Sequence, residues 1–219
     1  MTQPHSRIYR QSSALIMAFF VGAISLSQEI IWVRILSFSS AGAPTTFAQT
    51  LGSFLIGIAI GAMIGRRVCN YPKNFLSWSA WMLVLCSFFF YISLPLAAKI
   101  NLWGLYTPIL FLVCITAVIS GGIFPVVCQI AGSQGSVGKS VSLVYLINII
   151  GATFGSLITG FYLLDKFPLT KAATIIFVAG LIGSLLILFF NRGNDKRVLT
   201  TRLVPIISLV FISLSLIHI

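Results

Sequence analysis

The run "GSFLIGIAIGAMIGRR", Gly52 to Arg67, decides the fold. It carries no charge until two arginines close it, and glycine returns at Gly57, Gly61 and Gly65. An apolar stretch ending in paired basic residues reads as a membrane-crossing helix with its basic end in the cytoplasm. Glycine at every fourth position lies on one helix face, a smooth surface that lets a second helix come close in lipid. These three glycines are read as helix-packing positions without chemistry of their own.

Outward from that run the pattern repeats. The chain has 219 residues, 58% of them hydrophobic and 8% charged, with a mean hydropathy of +1.05. A soluble domain of this size needs far more surface charge. Seven apolar runs stand at about 13–36, 46–65, 76–98, 105–131, 140–164, 171–190 and 203–219. Most are near the roughly 20 residues a helix needs to cross the hydrocarbon. The formal net charge of +11 sits between the runs, at Arg7 and Arg10, at Arg66, Arg67 and Lys73, and at Arg192, Lys196, Arg197 and Arg202. That alternation places positive loops inside the cell and argues against nucleic acid as a partner. The lipid bilayer is the expected surrounding, and a bacterial cytoplasmic (inner) membrane the expected location.

The fold class expected is all-α, a polytopic membrane protein of about seven transmembrane helices with a cytoplasmic N-terminus. Residues 1–12 form that terminus, 13–190 a six-helix domain, 191–202 a basic cytoplasmic linker, and 203–219 a seventh helix that looks truncated. Loops at 66–75 and 132–139 should share the cytoplasmic side, and those at 37–45, 99–104 and 165–170 the other. The first run continues to about Leu36, too far for a cleavable signal. It reads as an uncleaved span.

Chemistry is sparse. The four cysteines (Cys69, Cys86, Cys114, Cys128) have no metal-ligand spacing, and His5 and His218 stand at opposite ends. No metal or cofactor is expected. "GSQGSVGKS" (Gly132–Ser140) ends like a phosphate loop, but Ser133 stands where the first glycine belongs and both flanks are membrane spans. Nucleotide binding is rejected there.

The stretch "SLSQEIIWVRI", Ser25 to Ile35, is the anomaly. It puts Glu29, one of only three acidic residues, inside the first span. Glu29 and Arg34 are about 140° apart around a helix, so they are poor mutual partners. Arg34 can reach the outer surface, with Trp32 in the interfacial aromatic belt. Glu29 should then face the bundle interior, a cavity or a basic residue from another helix. Two readings stay open: a proton or cation site, or a polar clamp fixing helix packing. Gln28 and Trp32 share a face at i, i+4. In the fifth span Tyr145, Asn148, Gly151 and Gly155 share another, and Gly151, Gly155 and Gly160 let a neighbouring helix approach. Pro125 should kink the fourth span.

Four stretches together resemble the membrane portion of the spermidine-synthase-like proteins, in which transmembrane helices are fused to an aminopropyltransferase-type domain. They are "LSQEIIWVR" (Leu26–Arg34), the glycine-ladder second span, "GGIFP" (Gly121–Pro125) and "VGKSVSLVYLINIIGATFGSLITGFYLL" (Val137–Leu164). Leu26, Glu29, Trp32 and Arg34 match that family's first-span pattern, while Gln28 replaces its usual tyrosine. Tyr145, Asn148, Gly151, Gly155 and Gly160 match its other shared block. The resemblance covers roughly residues 13–190 and is itself similar to part of a major-facilitator transporter. The family's nucleotide-binding strand–turn–helix is missing from this chain, and Asp165 and Asp195 are the only acids beside Glu29. Aminopropyl transfer is therefore not expected. The abrupt seventh span suggests a split gene, a truncated product, or a membrane subunit whose soluble partner is encoded separately.

Two functions follow as expectations. One is an integral membrane anchor or subunit for a separate spermidine-synthase-like enzyme, with no catalysis in this chain. The other is a transporter for a small solute, a cation among the candidates, that acts as a homodimer, with Gln28, Glu29, Arg34, Tyr145 and Asn148 as its candidate intramembrane polar site.

Overall fold

The computed structural model of the protein describes residues 4–40, 42–70, 75–132 and 137–190, and side chains from 11 to 187 within them. The linker expected at 191–202 and the seventh span expected at 203–219 lie outside the described residues. The regular structure within them is helical throughout: α1 (Pro4–Ser39), α2 (Pro44–Val68), α3 (Phe75–Leu102), α4 (Thr107–Gly132), α5 (Val137–Lys166) and α6 (Leu169–Phe190). All six are long and apolar enough to cross a membrane. The chain is an all-α, multi-pass membrane protein.

Every helix except α4, which starts two residues inside its apolar run, is longer than the run that announces it, because backbone hydrogen bonding continues where side chains turn polar. Pro44 opens α2 at the start of its first turn, where a missing N–H leaves no bond unmade. Gly42 (φ 78°) and Gly104 (φ 68°) take the left-handed conformation in the turns after α1 and α3. Beside Gly104, Trp103 is 82% exposed, as suits the aromatic belt at a membrane surface. Within α5, Ile158–Leu163 widens into a π-helical segment. Pro125 lies inside α4, and Pro95 inside α3; both helices continue through them.

α1 is the hub and touches every other helix. Gln28 faces Cys86 and Trp32 faces Phe90, so α1 and α3 run parallel. Gly183 packs on Phe20 and Gly180 on Ile24, so α1 and α6 run antiparallel. Short connections join the helices, and the chain reverses direction from each helix to the next.

The two most intimate contacts are α2 with α4 and α1 with α5. They are the same contact with the roles exchanged. Gly57 and Gly61 of α2 press on the carbonyls of Cys114 and Val118, while Gly151 and Gly155 of α5 press on those of Phe19 and Ala23. The equivalent residues stand 94 or 95 positions apart, as Gly57 to Gly151 and Phe19 to Cys114 show. α3 against α4 is likewise matched by α6 against α1, and α1 against α2 by α4 against α5. Because α1 and α4 are separated by three chain reversals, the equivalent helices point in opposite directions. The six spans are two three-helix units of inverted topology.

Burial is uneven between the spans. Of the most apolar stretch of each, 22% is buried in α2 and 17% in α5, against 44% to 56% in the other four. The helices that the two units exchange are therefore the ones left most open to their surroundings.

Candidate intramembrane polar site

Four helices bring polar side chains to the middle of the bundle. Ser25 is the central residue of the Gln11–Ser39 span, and Ser120 lies at the centre of Thr107–Gly132. The Ser120 hydroxyl donates to Ser25 Oγ at 3.0 Å, joining α1 to α4. In the 94–95 offset Ser25 and Ser120 are themselves equivalent, so this bond falls where the two inverted units meet. Cys86 and Ser87 stand close to the centre of α3, and Ser87 Oγ lies against Gly180 of α6.

One turn beyond Ser25, Gln28 is fully buried. Its Oε1 accepts from the Cys86 thiol at 3.6 Å, a weak bond between α1 and α3. One further turn on, Trp32 is also fully buried, edge-on to Phe90 with ring centres 6.2 Å apart. On the other side of α1, Thr159 Oγ1 donates to Ser27 Oγ at 2.9 Å, and Ser27 Oγ donates to the Gly155 carbonyl at 3.1 Å. That relay docks the π-helical segment of α5 on α1. Three central polar atoms have no partner among the described residues: Gln28 Nε2, Trp32 Nε1 and Ser87 Oγ. Buried polar groups in native proteins are otherwise nearly all bonded.

Gln28 is the fully buried long polar side chain of the first span, and Glu29 beside it is half-buried. The stripe that packs inward runs through Val21, Ser25, Gln28 and Trp32. Glu29 stands about 100° round the helix from Gln28. It belongs to the stripe Leu26, Glu29, Val33 and Ser37, which is half-buried throughout. No charged partner faces it among the described residues. Trp32, expected in the interfacial belt, is core instead. Arg34 is exposed and rests 4.6 Å from the centre of the Phe38 ring, as expected for a side chain reaching outward.

Tyr145 is exposed and meets Phe124 edge-on at 6.3 Å, so it lines no interior site. Asn148 is half-buried, and its backbone carbonyl presses on Gly22. Gly65 sits against Gly122, completing the α2 face. Gly160 is exposed, with nothing within 4 Å of where a Cβ would stand, so among the described residues no helix approaches it. Of the five candidate polar residues, only Gln28 belongs to the central cluster. The sequence reading did not single out Ser25, Cys86, Ser87, Ser120 or Thr159. The signal available for them was position alone, a hydroxyl or thiol near the centre of several spans.

No cluster of His, Cys, Asp and Glu suited to a metal ion forms among the described residues. The arrangement can donate hydrogen bonds and tune helix contacts, and it offers half-buried Glu29 as one intramembrane acid. In comparisons with known proteins, no family model, no curated protein and no solved structure matches this chain.

Proposed function

We propose that this chain is half of a small-solute transporter and works as a pair of copies in a bacterial inner membrane. The observation that carries the reading is the inverted repeat. Transporters are commonly built from three-helix units of opposite topology, and they bind their cargo near the bilayer midplane where such units meet. Fold alone does not settle function, but two further features point the same way. The exchanged helices α2 and α5 are the least covered, which suits a second copy docking there. Glu29 is half-buried on the outer stripe of α1 without a charged partner among the described residues. An intramembrane carboxylate is expensive unless it is solvated, protonated or paired. A cavity between two copies would supply water, and a cationic solute would supply the pair.

The test is uptake by the purified full chain in proteoliposomes, using small amines driven by an imposed gradient. Saturable uptake should appear and should vanish in Glu29→Gln while the unfolding midpoint stays unchanged. Uptake unaffected by Glu29→Gln removes the acid from the reading, and a strictly monomeric, inactive chain removes the reading itself.

The subunit reading makes a different demand. The resemblance at Leu26–Arg34 and Val137–Leu164 implies a soluble spermidine-synthase-like enzyme held at the basic turns, such as Arg66–Arg67. Native mass spectrometry of the detergent-extracted protein separates the two: a stoichiometric soluble chain favours the subunit, and a homodimer the transporter.

A further inference from the structure

The glycine ladder of α2 has a fourth rung, and it is a cysteine. Gly57, Gly61, Gly65 and Cys69 follow one another at intervals of four. The backbone is still helical at Cys69 (φ −62°, ψ −17°), and its N–H donates to the Gly65 carbonyl at 3.1 Å. Cys69 therefore leaves α2 on the face that packs against α4. The facing stripe of α4 is fixed by the same contacts. Gly57 meets the backbone of Cys114, Gly61 that of Val118, Gly65 that of Gly122, and Gly121 meets Ile58. Cys114, Gly121 and Cys128 recur every seven residues, close to two full turns, so Cys128 continues this stripe. The two helices run parallel through these rungs, and one turn beyond Gly65 and Gly122 puts Cys69 level with the turn of α4 that holds Cys128. Both are half-buried free thiols, and a thiolate at Cys69 acts electrostatically on Cys128 across the seam. We propose that Cys69 and Cys128 are a reversible redox pair, which a hydroperoxide closes to a disulfide stapling the end of α2 to α4.

A disulfide needs its two Cα atoms about 4.4–6.8 Å apart. This seam packs backbone on backbone, since a Cβ at Gly65 would strike the Gly122 carbonyl, so the facing chains are within that reach one turn on. The other cysteines are poorly placed to compete. Cys86 is fully buried on α3 with its thiol on Gln28, and Cys114 lies about 21 Å along α4 from Cys128. In the inverted repeat the places of Cys128 and Cys69 fall to Val33 and Leu163, so the fold itself does not call for thiols there.

Cys69 follows Arg66 and Arg67, at the membrane surface that the positive-inside rule assigns to the cytoplasm. Thiols there are held reduced, and disulfides form transiently in response to oxidant. Burial pushes the Cys69 thiol up, which keeps it protonated at rest. In the reaction its thiolate attacks one peroxide oxygen, the O–O bond breaks, and a sulfenic acid and one water result. Cys128 sulfur then displaces the hydroxyl from Cys69 sulfur, its proton leaves with that hydroxyl as a second water, and the S–S bond forms. The two thiols lose two electrons and the peroxide gains them. A dithiol reductant reverses the step by exchange.

The test uses the full chain in nanodiscs, treated with hydrogen peroxide, alkylated under denaturing conditions and mapped by mass spectrometry. The expected product has lost two hydrogens, carries a Cys69–Cys128 linked peptide, runs as a single chain on a non-reducing gel, and leaves Cys86 and Cys114 alkylated. Its formation should quicken as pH rises, because the thiolate is the nucleophile. Dithiothreitol should restore both thiols and remove a gain in unfolding midpoint. Cys69→Ser, checked for helicity by circular dichroism, should leave Cys128 without a bridge. A bridge to Cys86, to Cys114 or to a second copy overturns the proposal. So do Cys69 and Cys128 that stay reduced, or that oxidise separately to sulfinic acids, in the wild-type protein.

Discussion

Replacing Gly57 by alanine adds one methyl at the α2–α4 contact, and the geometry says what it meets. The new Cβ would lie 2.5 Å from the Cys114 carbonyl oxygen and 2.6 Å from Ala117 Cβ, where ordinary contact begins at 3.4 Å. Neither obstacle is the mobile end of a flexible side chain, so the helices must separate by about 1 Å, given optimal carbon contacts of about 3.5–4.0 Å. Overpacking of this kind costs about 1–3 kcal/mol. Alanine also favours a helix over glycine by about 1 kcal/mol, which would mask part of the loss. Gly52→Ala removes that ambiguity, because Gly52 is on the same helix with nothing within 4 Å. The difference between the two variants isolates the clash. In mixed-micelle unfolding followed by circular dichroism, Gly57→Ala should be less stable than Gly52→Ala by about 1–3 kcal/mol. Gly151→Ala, whose new Cβ would meet the Phe19 backbone in the equivalent contact, should also be destabilised by about 1–3 kcal/mol. Equal stability of Gly57→Ala and Gly52→Ala would refute the close α2–α4 contact, and a Gly151→Ala variant as stable as Gly52→Ala would refute the matching α1–α5 contact.

The Ser25–Ser120 bond should show in a double-mutant cycle of the two alanine variants as a coupling of about 0.6 kcal/mol, the average for interhelical hydrogen bonds in membranes; additive losses would place the hydroxyls apart. Trp32→Ala should lose about 3–5 kcal/mol, as for a buried aromatic side chain, whereas Arg34→Ala should stay within about 0.5 kcal/mol. Similar small effects at both would return Trp32 to the membrane surface.

How much of this was written legibly in the chain depends on what each residue must do. The six spans within 13–190 follow from hydropathy, because lipid imposes one rule along the whole length of a crossing helix. The runs of Gly57, Gly61 and Gly65 and of Gly151 and Gly155 are equally plain, since only glycine lets backbone meet backbone, and both lie at such contacts. Their equivalence is hidden because the rest of each unit is free to vary among apolar residues of similar size. Phe19 and Cys114 are equivalent through their carbonyl oxygens, which every residue carries. Ser25 and Ser120 escape notice for a related reason: a single serine can bond its own helix backbone, as Ser79, Ser93 and Ser184 do here, so its presence in a span announces nothing about a partner. Glu29 drew attention by charge, yet charge says only that a group needs solvation, not which way the helix turns it. The residue beside it, Gln28, took the interior because α1 presents Val21, Ser25, Gln28 and Trp32 on one stripe, and that stripe is chosen by which side chains can pack. In a membrane helix the rotational setting is decided by small and medium residues acting together, so the conspicuous polar residue and the buried one need not coincide.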